Sequence, residues 1–140
     1  MKKLMIMTAA MAVTLSAIAA HAAEGHISNV VNLRAGPDTL YPVVARITGK
    51  KLDVKGCLTD RSWCEASWNG QYGWISGQLV KVNGVVANTS FNFDPYWDKH
   101  YTNRDFNNQR ARYRPEVVGN MAVMPTGTWD RARSNGLERH

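Results

Sequence analysis

The residues from Cys57 to Ile75 constrain this chain more than any others, reading Cys-Leu-Thr-Asp-Arg-Ser-Trp-Cys-Glu-Ala-Ser-Trp-Asn-Gly-Gln-Tyr-Gly-Trp-Ile. Asn69-Gly70 lies between two strand-like runs, and both residues accept the positive φ that a tight primed turn requires, so Trp63 to Trp68 and Gln71 to Ile75 read as a hairpin. Just upstream, Leu52-Asp53-Val54-Lys55-Gly56-Cys57 alternates apolar and polar residues with period two, placing Leu52 and Val54 on one face. Together these runs predict an antiparallel three-strand meander, with Thr59 to Ser62 as the polar loop tip between its first two strands.

The chemistry of Cys57 and Cys64 depends on compartment. Lys2 and Lys3 precede an apolar run from Leu4 to Ala20, and Ala20-His21-Ala22 closes it with small residues at alternate positions, the layout of a secretory signal peptide cleaved after Ala22. Thr8, Thr14 and Ser16, with the shortness of the run, argue against a membrane anchor. No second apolar run follows, so residues 1–22 are expected to be removed and the remainder to be a periplasmic or secreted protein without a membrane span. In an oxidising compartment the default for two cysteines is a disulfide. A metal site would need further ligands at suitable spacing, and a nucleophilic cysteine would need a nearby histidine; neither His26 nor His100 sits in such a pattern. No cofactor and no metal are expected.

From His26 to Val82 the chain consists of short runs rich in β-branched and aromatic residues, punctuated by glycine, proline, asparagine and aspartate. Ile27 to Leu33, Val43 to Ile47, Leu52 to Cys57, Trp63 to Trp68, Gly73 to Ile75 and Val80 to Val82 read as strands, which predicts an all-β domain closed as a small barrel of five to six strands. Leu33 should point inward and Arg34 outward, before a turn at Gly36-Pro37-Asp38. Trp74, on the closing strand, reads as core. The formal charge of +6 falls by two when Lys2 and Lys3 are removed, a mild bias toward acidic partners that makes no demand for nucleic acid.

Asn32-Leu33-Arg34-Ala35-Gly36-Pro37, then Tyr41-Pro42-Val43-Val44, Gly56-Cys57-Leu58, Trp63-Cys64 and Gly73-Trp74-Ile75 together resemble the bacterial SH3 domain family, and most of all its small, exported, disulfide-bearing branch. The resemblance runs in order over about residues 26–83. It implies an SH3-like, partly open barrel over residues 23–83 and a targeting or binding role in the envelope, toward peptidoglycan or an envelope protein. In that family the barrel often accompanies a wall hydrolase. Residues 84–140 contain no cysteine and no histidine-based constellation, so the chain is not expected to be an enzyme.

Candidate recognition residues are Tyr41, Trp63 and Trp68, since aromatics on loops and outer faces supply contact area with polar tips. Residues 84–140 are expected to form an irregular, partly disordered, aromatic and basic extension. Phe91-Asn92-Phe93 alternates as an added edge strand would. A helix from Pro95 to Tyr101 would place Trp97 and Tyr101 four apart on one face, either packed on the barrel or open to a ligand. Arg104, Arg110, Arg112 and Arg114 stand against Asp105 alone as a candidate basic patch, with a solvated basic segment as the alternative. Met121, Val123 and Met124 suggest a short docking patch. A second functional reading makes the barrel a scaffold and Phe91 to Tyr113 a partner-binding segment that orders on contact. The sequence names no ligand and no oligomeric state.

Overall fold

A computed structural model describes residues 22–118 and 121–123. The expected signal segment, apart from Ala22, and the chain from Met124 onward lie outside the described residues, as does the expected disorder at the C-terminal end.

Seven strands form one antiparallel sheet: β1 (Ala23–His26), β2 (Val31–Arg34), β3 (Val43–Ile47), β4 (Lys51–Cys57), β5 (Trp63–Trp68), β6 (Gln71–Ser76) and β7 (Lys81–Val82). Their order is β3-β2-β6-β5-β4-β1-β7. The sheet curls over a core without its two outer strands pairing, so the barrel is open, as the resemblance implied. It has seven strands rather than five or six because an additional strand, β1, precedes the expected first strand, which shortens to β2. A bend at Ser28-Asn29 separates β1, which lies between β4 and β7, from β2, which lies between β3 and β6.

The meander is as the sequence predicted. Asn69 and Gly70 have φ of 48° and 74°, and they join β5 to β6 in an unbroken register from Trp63 opposite Ser76 to Trp68 opposite Gln71. Cys57 and Cys64 face each other across β4 and β5 and are bridged, with Cα atoms 3.9 Å apart. The bridge closes the loop at the point where Leu58 N–H donates to the Trp63 carbonyl at 2.9 Å.

Inside the barrel, Leu33, Ile47, Ala66 and Ile75 are fully buried, with Val31, Leu52, Val54, both cysteines and Val80 around them. This is the alternation of one inward face per strand. A second apolar cluster lies on the outside of the barrel and joins Ala35, Tyr41 and Val44 to Phe93, Trp97 and Tyr101. Trp74 belongs to this outer layer. It is completely buried, but its ring meets Phe91 edge-on at 5.5 Å and Tyr96 at 6.0 Å. Its neighbour Ile75 takes the inward position.

That outer layer is built by the extension. Phe91-Asn92-Phe93 does not form an edge strand. The backbone pairing comes earlier, where Cys57 donates to the Ala87 carbonyl and accepts from Thr89 N–H. Helix α1 (Phe93–His100) then begins two residues before Pro95. Asn92 is its extended N-cap residue, Asp94 lies in the first turn, and Lys99 and His100 lie in the last, each sign of charge at the end of the helix dipole that favours it. A 3₁₀ turn over Asp105–Gln109, α2 (Arg110–Tyr113) and a small hairpin of β8 (Glu116–Val118) with β9 (Met121–Val123) follow. The stretch from Phe91 to Tyr113 is therefore packed on the barrel through this layer.

Candidate functional site

Tyr41 is positioned by the loop between β2 and β3. Its ring lies over Gly36, where an added Cβ would come within 2.5 Å of ring atoms. Arg34, on the outward face of β2, turns its guanidinium back to donate to the carbonyls of Thr39 and Tyr41 at 2.7 and 3.0 Å. The run Arg34-Ala35-Gly36 thus seats an aromatic ring against backbone. Tyr41 does not form an open recognition surface, because the extension covers it: it is 3% exposed and packs against Phe91, Phe93 and Tyr113. This burial raises its phenol pKa, with Asp38 adding to the effect.

Trp97 on α1 and Tyr101, its C-cap residue, do lie on one side, and that side is turned toward the barrel. Both are buried. The Trp97 indole donates to the Ala35 carbonyl at 3.0 Å, and the Tyr101 hydroxyl donates to the Tyr72 carbonyl at 2.8 Å. The apolar area and the two polar tips are spent on the chain itself, which removes both residues as free ligand contacts.

Trp63 and Trp68 remain half-buried and are not brought together, since they stand at opposite ends of the β5–β6 hairpin. Trp68 packs on the barrel core and has its indole near Gly49. A depression of about 210 Å³ beside it includes Glu24, Lys51 and Asp53, where Glu24 pairs with Lys51 and His26. The hydrogen bond from Lys51 holds the Glu24 carboxyl below its usual range.

The arginines divide into two groups. Arg110 reaches Asp94 at 2.6 Å and also pairs with Asp98, while Arg114 reaches Asp94 at 2.8 Å. Hydrogen bonds from Arg114 and then Arg110 hold the Asp94 carboxyl below its usual range. Arg112 bonds Gln109 at 2.7 Å. Arg110 and Arg114 therefore clamp α2 onto α1 rather than forming an unpaired patch. Arg104 differs: it donates to the Val44 carbonyl at 2.7 Å and to Gln71 Oε1 at 3.3 Å, and it takes part in none of the ion pairs among the described residues.

Arg104 lines a cleft of about 380 Å³ where the start of β6 meets the end of α1. Gln71 and Tyr72 form one wall, and Lys99, His100 and Tyr101 the other. The rings of Tyr72 and His100 stack at 4.6 Å with 22° between their planes. Lys55 stands 5.9 Å from the Tyr72 ring centroid. Desolvation, and secondarily Lys99, pushes the His100 pKa down. The cleft thus combines a fixed guanidinium, a lysine, an imidazole biased toward its neutral form and an amide. Sequence reasoning found Arg104 but missed Gln71, Tyr72, Lys99 and His100. Their only sequence signal is the basic pair ending the helical run, which reads equally well as compensation of the helix dipole.

Both cysteines are bridged, and no group of three or more histidine, cysteine, aspartate or glutamate residues is placed to hold a metal among the described residues. Among those residues, too, no helix is long and apolar enough to cross a membrane. Residues 29–81 match the family model described as Bacterial SH3 domain. No curated protein matches the chain significantly.

Proposed function

From the premise that residues 29–81 are a bacterial SH3 domain, a binding module, we propose that this protein is a non-catalytic recognition module of the bacterial envelope whose target is a cell-wall component or an envelope protein. The observation that carries the reading is the filling of the barrel's outer aromatic face by the chain's own α1. With Tyr41, Trp74 and Trp97 buried there, recognition falls to the surface left open beside it, the cationic cleft between β6 and α1. Export is supported by the apolar leader and by the closed Cys57–Cys64 bridge, which an oxidising compartment maintains.

The test is co-sedimentation of residues 23–140 with purified peptidoglycan, together with crosslinking in an envelope extract. Retention by either, reduced by Tyr72→Ala or Lys99→Gln, is the expected result. Absence of any wall or envelope target would end the reading. Residues 91–113, folded against the barrel before any partner is met, do not favour the alternative in which they order on contact.

A further inference from the structure

We propose that the cleft between β6 and α1 binds a carboxylate, presented by a small ligand group that lies against Tyr72. The inference deepens the reading of the chain as a recognition module by naming the chemistry of its open surface.

The first support is charge. The cleft wall carries Lys99 and Arg104, and Arg104 has no ion-pair partner among the described residues, whereas Arg110 and Arg114 are both matched to aspartates. A guanidinium carries five N–H donors in a rigid fork. The bonds to the Val44 carbonyl and Gln71 Oε1 occupy two donors and fix the plane, and a planar, bidentate acceptor is the partner that the remaining donors of such a fork suit. Its approach within 5.4 Å of the Phe106 ring adds a further restraint. Preorganisation of this kind lowers the ordering cost of binding.

The second support is the aromatic wall. Tyr72 is 37% exposed, among the more exposed large hydrophobic side chains of the described residues, and its backbone carbonyl accepts from the Tyr101 hydroxyl, which holds this end of β6. His100, stacked on it, is flanked by Lys99, Tyr96 and Tyr101 on α1 and just beyond, by Tyr72 on β6 and by Arg104 across the cleft. Of the carboxylates around it, Asp94 and Asp98 on α1 are paired with Arg110 and Arg114, and Glu65, half-buried on β5, has its pKa raised by burial against the opposing pull of Tyr96, Lys99 and Lys55. An anion arriving in the cleft therefore meets more positive than negative charge and favours protonation of His100. A volume of about 380 Å³ accepts a residue-sized group rather than a bare ion.

N-acetyl-alanyl-alanine as the free acid is the probe, with its C-terminal amide and inorganic phosphate as comparisons. Residues 23–140 are titrated with each while the His100 imidazole proton is followed by NMR, assigned by loss of that signal in His100→Gln. The expected result is saturable movement of the His100 signal with the free acid alone and a rise in its pKa on binding. Lys99→Gln should weaken binding about threefold, and Arg104→Gln about tenfold. Because Arg104 also braces Val44, Lys99→Gln serves as the variant whose thermal midpoint stays unchanged. Equal binding of the amide, tighter binding of phosphate, or no movement of His100 with the acid overturns the proposal. Acid binding without any wall or envelope target would leave the cleft chemistry standing and remove the envelope role; target retention without acid binding would do the reverse.

Discussion

The indole Nε1 of Trp97 donates to the Ala35 carbonyl at 3.0 Å across a sequence separation of 62 residues, tying the extension to the loop that carries Tyr41. Neither group is exposed. Trp97→Phe keeps most of the ring and leaves the carbonyl without its donor, an arrangement expected to cost about 1–3 kcal/mol. Trp97→Ala also empties the outer core and should cost about 3–5 kcal/mol. Urea unfolding of residues 23–140 measures both, and a Trp97→Phe variant as stable as the parent would show that the bond contributes nothing.

Gly36 makes the same region sensitive from the barrel side. A Cβ there falls 2.5 Å from the Tyr41 ring, so Gly36→Ala must displace a buried aromatic, at about 1–3 kcal/mol. The penalty should shrink in a Tyr41→Leu background, where the branched side chain leaves the backbone free. A double-mutant cycle with additive losses would show that the two positions are uncoupled.

The meander and the bridge were legible because their signals are local: Asn69-Gly70 specifies its own φ angles, and two cysteines seven positions apart close one connection. Trp74 read as core and is buried, but the inward position on β6 belongs to Ile75. What covers Trp74 is Phe91 and Tyr96, and no period within β6 encodes their arrival. Tyr41 looked like a surface residue for the same reason. The basic patch had a readable counterpart that a count over Asn103 to Arg114 omitted. Asp94 and Asp98 stand four apart on one face of α1, and Arg110 and Arg114 are spaced alike at the start and just past the end of α2, so two groups of opposite sign were available to pair. The cleft required all of this packing first, because its two walls come from strands and helix that the sequence does not visibly connect.

The Cys57–Cys64 bridge closes a short loop in a domain that also has two apolar clusters. Replacing both cysteines by serine should cost about 2–3 kcal/mol. Far-ultraviolet dichroism should retain the native signature at room temperature while the urea midpoint falls. Complete unfolding of the variant would mean that the meander depends on the bridge for its existence.

Asp94 couples the extension to pH. Its carboxyl is held below its ordinary 3.8 by hydrogen bonds from Arg114 and Arg110, so the unfolded chain binds the proton more readily. The resulting stability is present above pH 3.8 and is lost as pH falls through the lower folded value. Asp94→Asn should remove that acid-side dependence and, with the side chain 48% exposed, cost only about 0.5–1 kcal/mol at neutral pH. Acid titration of the two proteins monitored by amide exchange at Arg110 to Tyr113 distinguishes them, and parallel curves would show that the clamp is not the titrating element.

His100 titrates in the opposite direction from a histidine that gains an acidic partner. Its pKa is pushed below 6.5 by desolvation and by Lys99, so protonation favours the unfolded chain. The stability contributed by the neutral ring is present above pH 6.5 and declines as pH falls through the lower folded value. His100→Gln keeps an uncharged polar side chain and should flatten the stability profile as pH falls below 6.5, while giving up the stack on Tyr72. Thermal midpoints across that window, with Glu65→Gln as a second variant because Glu65 lies on the same side of the barrel and its raised pKa acts with the opposite sign, separate the two contributions. A profile unchanged by His100→Gln would place the pH sensitivity elsewhere in the fold.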